Sequence, residues 1–98
     1  MGNYFIYITT NPSKTVLYVG MTNDLQRRMS EHLENKATNK SFAGKYYCYS
    51  LVYWERFDTP EDAIDREKQL KRWSRIKKEA LINKMNPKWF SLNADLFV

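Results

Sequence analysis

The chain is poor in the residues that build covalent or metal frameworks: one cysteine, one histidine, three glycines and three prolines in 98 residues. A lone cysteine, Cys48, excludes an intramolecular disulfide and any cysteine-based zinc cage. It stands in an aromatic segment, where a buried structural thiol is the expectation. No apolar run is long enough to span a bilayer, and the first residues lack the form of a signal peptide. No membrane contact is therefore expected, and the cytoplasm is the default compartment. No internal repeat, low-complexity tract or linker interrupts the chain, and its length suits one domain over residues 1–98.

What is abundant is aromatic and basic. The hydrophobic fraction of 43% argues against bulk disorder, and aromatics reach 15%, enough to fill a small core or to leave rings at a working surface. The net charge is +5, and it is unevenly spread. Between residues 66 and 84, Arg66, Lys68, Lys71, Arg72, Arg75, Lys77, Lys78 and Lys84 face only Glu67 and Glu79. That local excess is larger than the excess of the whole chain. Such a stripe suits a polyanion, most often nucleic acid, although a solvated helix face has the same composition.

Local patterns define five elements. Residues 4–9 are β-branched and aromatic and read as a strand; 15–21 read as a second, joined to the first through the turn chemistry of Asn11-Pro12-Ser13-Lys14. A helix over 24–35 is expected from Leu25, Met29 and Leu33, with Asn23 and Gln26 as a capping box. Polar residues 36–45 read as a loop. Residues 46–57 form the longest strand candidate and are expected at the sheet's centre. Thr59-Pro60-Glu61-Asp62 is a helix start, with Thr as N-cap, Pro in the first turn and acids beside the positive end of the dipole. That helix is expected to run to about Lys84, with Ala63, Leu70, Trp73, Ile76, Ala80 and Leu81 on one side, and Pro87 stops it. Trp89, Phe90, Leu92, Leu96 and Phe97 make the tail too apolar to hang loose. The expected fold is α+β: a small three-stranded antiparallel sheet flanked by helices, in the order β-β-α-β-α, with a packed C-terminal tail.

Several residues fit this frame poorly. Arg28 and His32 fall on the apolar side of the first helix, where a guanidinium is costly unless an anion meets it; a snorkelling side chain or an ion pair is the ordinary alternative. Glu67 lies at the border of the apolar stripe of the last helix, among Arg66, Lys68 and Lys71. A basic field keeps a carboxylate ionised, as a hard cation requires, while an i,i+4 pair with Lys71 is the plainer explanation. Gly20 interrupts a good strand, the mark of a bulge or of close approach by a ligand or backbone. Tyr7 and Tyr18, on paired strands, can share one face.

Together these positions resemble the GIY-YIG nuclease superfamily. Phe5-Ile6-Tyr7 stands where that family has its first tripeptide, with phenylalanine in place of glycine, and Tyr18-Val19-Gly20 where it has the second, at the usual separation. Arg28 matches the helix arginine and His32 a residue often found one turn later. Arg66-Glu67-Lys68-Gln69-Leu70-Lys71 resembles the segment with the metal-binding glutamate, and Asn86-Pro87-Lys88-Trp89 the tail of short stand-alone members. For the family's late asparagine Asn86 is preferred, with Asn83 and Asn93 within reach.

The resemblance implies an endonuclease that hydrolyses phosphodiester bonds with one Mg²⁺ or Mn²⁺, acting on nucleic acid, DNA in preference to RNA, in a structure-directed way in repair or recombination. It assigns Tyr7 to orienting or deprotonating water, Tyr18 to the phosphate or that proton transfer, Arg28 to the non-bridging oxygens and Glu67 to the metal. His32 would shuttle or orient. Gly20 would admit the substrate, with Lys68, Lys71, Arg72, Arg75 and Asn86 binding it. Two other classes compete: a non-catalytic nucleic-acid-binding module that keeps the fold, and a protein-interaction adaptor, which the charge balance disfavours. Oligomeric state is open.

Overall fold

The computed structural model describes residues 2–35 and 48–93, and the side chains of 32–35 lie outside the description. The expectations placed on His32, Leu33, the 36–45 loop, the start of the third strand at 46–47, and Leu96 and Phe97 therefore fall outside the described residues. Six elements follow in order: β1 (Tyr4–Thr10), β2 (Leu17–Thr22), α1 (Leu25–Asn35), β3 (Ser50–Phe57), α2 (Pro60–Arg72) and α3 (Arg75–Met85).

The three strands form one antiparallel sheet in the order β2-β1-β3, so β1 is central and β3 lies at an edge, contrary to the expectation from its length. The alternation along β1 explains why. Ile6 and Ile8 enter one core cluster and Tyr7 another, all almost fully buried, so both faces of this strand are covered. The first cluster joins the sheet to α2 and α3 through Ala63, Leu70 and Ile82; the second joins it to α1 through Leu25 and Met29. Cys48 is fully buried, and burial pushes its thiol up to about 11. It is a packing residue.

Side-chain capping sets the joints. Asn11 Oδ1 accepts from the amides of Thr15 and Val16 at 2.8 and 2.9 Å, which shapes the β1–β2 loop. Helix α1 is capped by Asp24, whose Oδ1 accepts from Arg27 N at 3.0 Å, one residue later than the expected Asn23 cap. Thr59 caps α2 as expected. The single helix over 60–84 is in fact two. Trp73 turns extended, with ψ at 148°, and Ser74 caps α3 by accepting from Lys77 N. A serine hydroxyl offers the chain a local alternative to the helical ladder, and here that alternative prevails. The break rotates the second segment, so Ile76, expected on the apolar side, is 77% exposed while Ile82 is buried.

The tail closes over β3. The register slips between Ile8 and Thr9, leaving Val52 as an extra residue, and its carbonyl accepts from Asn86 Nδ2 at 3.2 Å. Leu51 donates to Asn93 Oδ1 and accepts from Leu92 N, at 2.8 and 2.7 Å. The tail thus occupies part of an edge that would otherwise present unpaired groups.

Candidate active site

The α1 face of the sheet carries a small polar knot inside an apolar surround. Tyr7 is 1% exposed and lies opposite Gly20 in the β1–β2 register. The ring uses the space that glycine leaves: a Cβ on Gly20 would come within 2.3 Å of the Tyr7 hydroxyl and 2.4 Å of Cζ. No register slip occurs there. The anomalous glycine is thus explained by a neighbouring side chain rather than by a bulge. Tyr18, two residues before it, sets its ring at 6.2 Å and 48° to that of Tyr7.

Arg28 completes the knot from α1. Its Nε donates to the Tyr7 hydroxyl at 3.2 Å, and its Nη1 donates to Glu31 Oε1 at 3.3 Å, with a third of the side chain open to solvent. The helix carries Leu25 and Met29 into the core, and Arg28, beside them, reaches the same region. Burial pushes the Tyr7 phenol up to about 12, and the hydrogen bond from Arg28 only partly opposes this. The bond to Tyr7 raises the guanidinium above its usual range despite desolvation, so it stays charged. Tyr18 adds to both shifts, as a member of the same knot. The result is a neutral phenol pinned by a permanent cation whose outer edge is accessible, an arrangement able to receive an anion.

The remaining sequence-derived candidates divide. Glu67 lies on the sheet-facing side of α2, a turn from Ala63 and from Leu70, with its side chain 23% exposed and Lys71 Nζ 3.6 Å away. Lys71 lines an open depression with Leu17, Tyr18, Val19 and Lys78, so Glu67 and its lysine partner stand on the α2 face of the sheet, while the rings of the knot lie on the α1 face. Lys68 and Arg72 line a different and larger depression, about 810 Å³, with Phe57 and Trp73; none of Tyr7, Tyr18 and Arg28 borders it. Arg75 is engaged within the fold. Its three guanidinium nitrogens reach Glu79, the Thr15 carbonyl and the Lys14 carbonyl, which tie α3 to the β1–β2 loop. Asn86 is buried and satisfied by main chain: it donates to Val52 and Phe90 carbonyls and accepts from Phe90 N. Asn83 accepts from Trp89 Nε1, and Asn93 holds Leu51 and Tyr49. All three late asparagines are thus fasteners of the tail; Asn86 has no side-chain donor left for a phosphate, and three of the five Arg75 donors are spent inside the fold.

Two features escaped the sequence. Arg66, counted there in the basic stripe, is committed to Glu55 at 2.9 Å and to Gln69, while Tyr53 donates a short bond to Glu55. Desolvation and Glu55 raise the Tyr53 phenol well beyond its usual range. Only strand register reveals this network, because Glu55 faces the α2 side from β3. Lys78 was visible as a charge, but nothing local placed it beside Tyr18.

Among the described residues no group of three or more His, Cys, Asp or Glu could cage a metal. The donor set suits a different mode. Mg²⁺ keeps several waters and is commonly held by one or two carboxylates plus substrate phosphates, and the partly exposed carboxylate of Glu67, released from Lys71, fits that description.

One buried and one partly buried tyrosine thus meet a helix arginine on a β-β-α unit. The family model described as the GIY-YIG catalytic domain matches residues 3–80. The chain belongs to the GIY-YIG family, among its short UPF0213 members. It is 32% identical over 80 residues to a UPF0213 protein of Natronomonas pharaonis, covering 82% of this chain and 91% of that one. A UPF0213 protein of Bacillus pumilus is 34% identical over 83 residues, 85% of this chain and 82% of the relative. The solution structure of a UPF0213 protein from Bacillus halodurans superposes with a TM-score of 0.55 at 28% identity, covering 89% of both chains. GIY-YIG nucleases generally use a divalent metal, and the domain implies interaction with nucleic acid. Among the described residues no helix is long and apolar enough to cross a membrane.

Proposed function

We propose that the chain is a metal-dependent endonuclease that hydrolyses phosphodiester bonds in DNA, as a single domain over residues 1–98. The observation that carries this reading is the Tyr7–Tyr18–Arg28 knot: a cation fixed by a buried phenol, with one side open toward solvent. Arg28 offers its free edge to the non-bridging oxygens, where it is most effective as negative charge grows. Tyr7, with a phenol pushed up to about 12, holds its proton at neutral pH. It therefore orients water or phosphate as a donor rather than serving as the resting base. Tyr18, less buried, would hold the phosphate or relay the proton. Glu67 would hold one Mg²⁺ or Mn²⁺, which when bound supplies positive charge for the phosphate and a water ligand. Lys68, Lys71 and Arg72 supply contacts to the phosphate backbone that carry no sequence information, which favours recognition of DNA shape over sequence and a place in repair or recombination. His32 is kept as an orienting group. The cytoplasm is the proposed compartment.

Supercoiled plasmid and a panel of branched DNAs, incubated with Mg²⁺ or Mn²⁺, test the reading. Wild type nicks the DNA, and Arg28→Ala and Glu67→Gln do not. Binding without cleavage by wild type would instead support the non-catalytic nucleic-acid-binding module.

A further inference from the structure

The depression beside Tyr18 is built differently from the rest of the basic surface. It is lined by Leu17, Tyr18 and Val19 of edge strand β2, with Leu17 and Val19 facing the α2 and α3 side while the Tyr18 ring enters the knot on the other face, and by two ammonium groups from two different helices, Lys71 of α2 and Lys78 of α3. Its volume is about 320 Å³. Lys78 is half-buried, and no carboxylate pairs with it among the described residues, whereas Arg66, Lys71 and Arg75 each have an acid. A lysine held partly out of water without an anion is costly unless an anion arrives. The break at Trp73-Ser74 separates the two lysines' helices: Lys71 lies in the last turn of one and Lys78 in the first turn of the next. An apolar floor with cations at the rim matches a sugar–phosphate unit, which has an apolar sugar face and a charged phosphate.

We propose that this depression is a second phosphate subsite, in which Lys78 and Lys71 hold the backbone unit next to the phosphate that meets Arg28. The inference rests on the nuclease reading for its polarity, because Tyr18 is the residue shared by knot and depression. Occupancy of the subsite draws Lys71 toward the phosphate and away from Glu67, which leaves that carboxylate freer for a cation. Lys78 is a binding residue and takes no part in the chemical step.

Anisotropy of a labelled branched DNA in metal-free buffer tests the subsite separately from cleavage. Lys78→Ala raises Kd about fivefold or more and lowers the slope of log K against log salt by about one. Lys84→Ala, a cation of the same helix bordering a different depression, changes Kd less than twofold. Lys78→Arg restores binding. Replacing single phosphates by neutral methylphosphonates identifies one position that weakens wild type and leaves Lys78→Ala unaffected. Equal losses from Lys78→Ala and Lys84→Ala, or no such position, overturn the subsite even if the enzyme cuts DNA. The expected pattern without cleavage by wild type upholds the subsite and removes the nuclease reading alone. No binding by wild type overturns both.

Discussion

Gly20→Ala is the sharpest perturbation the site admits, because one methyl group tests the placement of the buried tyrosine, Tyr7. The added carbon would lie 2.3 Å from the Tyr7 hydroxyl, 2.4 Å from Cζ and 2.9 Å from Cε2. The ring has nowhere to go: Tyr7 is 1% exposed and packs with Leu25, Met29 and Leu51. No described glycine has positive φ, so backbone strain does not contribute, and the effect is steric. Overpacking of this kind costs about 1–3 kcal/mol, against a gain of about 0.4–1 kcal/mol from a stiffer unfolded chain. In a domain of this size each kcal/mol moves Tm by roughly 4–8 °C. The displaced hydroxyl also leaves Arg28, so activity falls further than stability does. Urea melts of wild type, Gly20→Ala, Tyr7→Leu and the double variant isolate the contact. Leucine lacks the colliding Cζ and hydroxyl, so in that background Gly20→Ala should become neutral or slightly stabilising, with a coupling energy of about 1 kcal/mol or more. If the alanine costs the same in both backgrounds, or nothing in wild type, the account of Gly20 is wrong.

Three further outcomes are expected. The Tyr7 phenol is near 12 in the fold against about 10 for a free tyrosine, so it contributes stability that is complete below pH 10 and is lost as pH rises toward 12; Tyr7→Phe should flatten the alkaline decline in urea midpoints. Arg28→Lys keeps a charge but loses the planar fork, and should lower the cleavage rate by about 10²-fold with little change in Tm, read from single-turnover nicking. Asn86→Ala strands the Val52 and Phe90 main-chain groups and should cost about 1–3 kcal/mol by urea denaturation, while leaving the salt dependence of DNA binding unchanged. A fall in that salt dependence would return Asn86 to the substrate.

Local chemistry determined much of this protein. The α+β order, the Thr59 and Asn11 caps and turns, the buried thiol of Cys48 and the two tyrosine tripeptides with Arg28 all depend on residues close in the chain, whose period and propensity are written there. The tertiary structure decided what depends on neighbours distant in sequence. The centrality of β1 depends on which strand has both faces covered, and length does not encode that. Ser74 was one hydroxyl among basic residues; in the fold it caps a second helix, and Leu70 and Ile82 are buried on either side of the break. The basic stripe read as one surface, yet Glu55 takes Arg66, the β1–β2 loop takes Arg75, and Lys78 is left beside Tyr18. Charge is legible from composition, but whether a charge is spent inside the fold or offered to a partner is a matter of which groups lie within a few ångströms, and only the folded chain sets that.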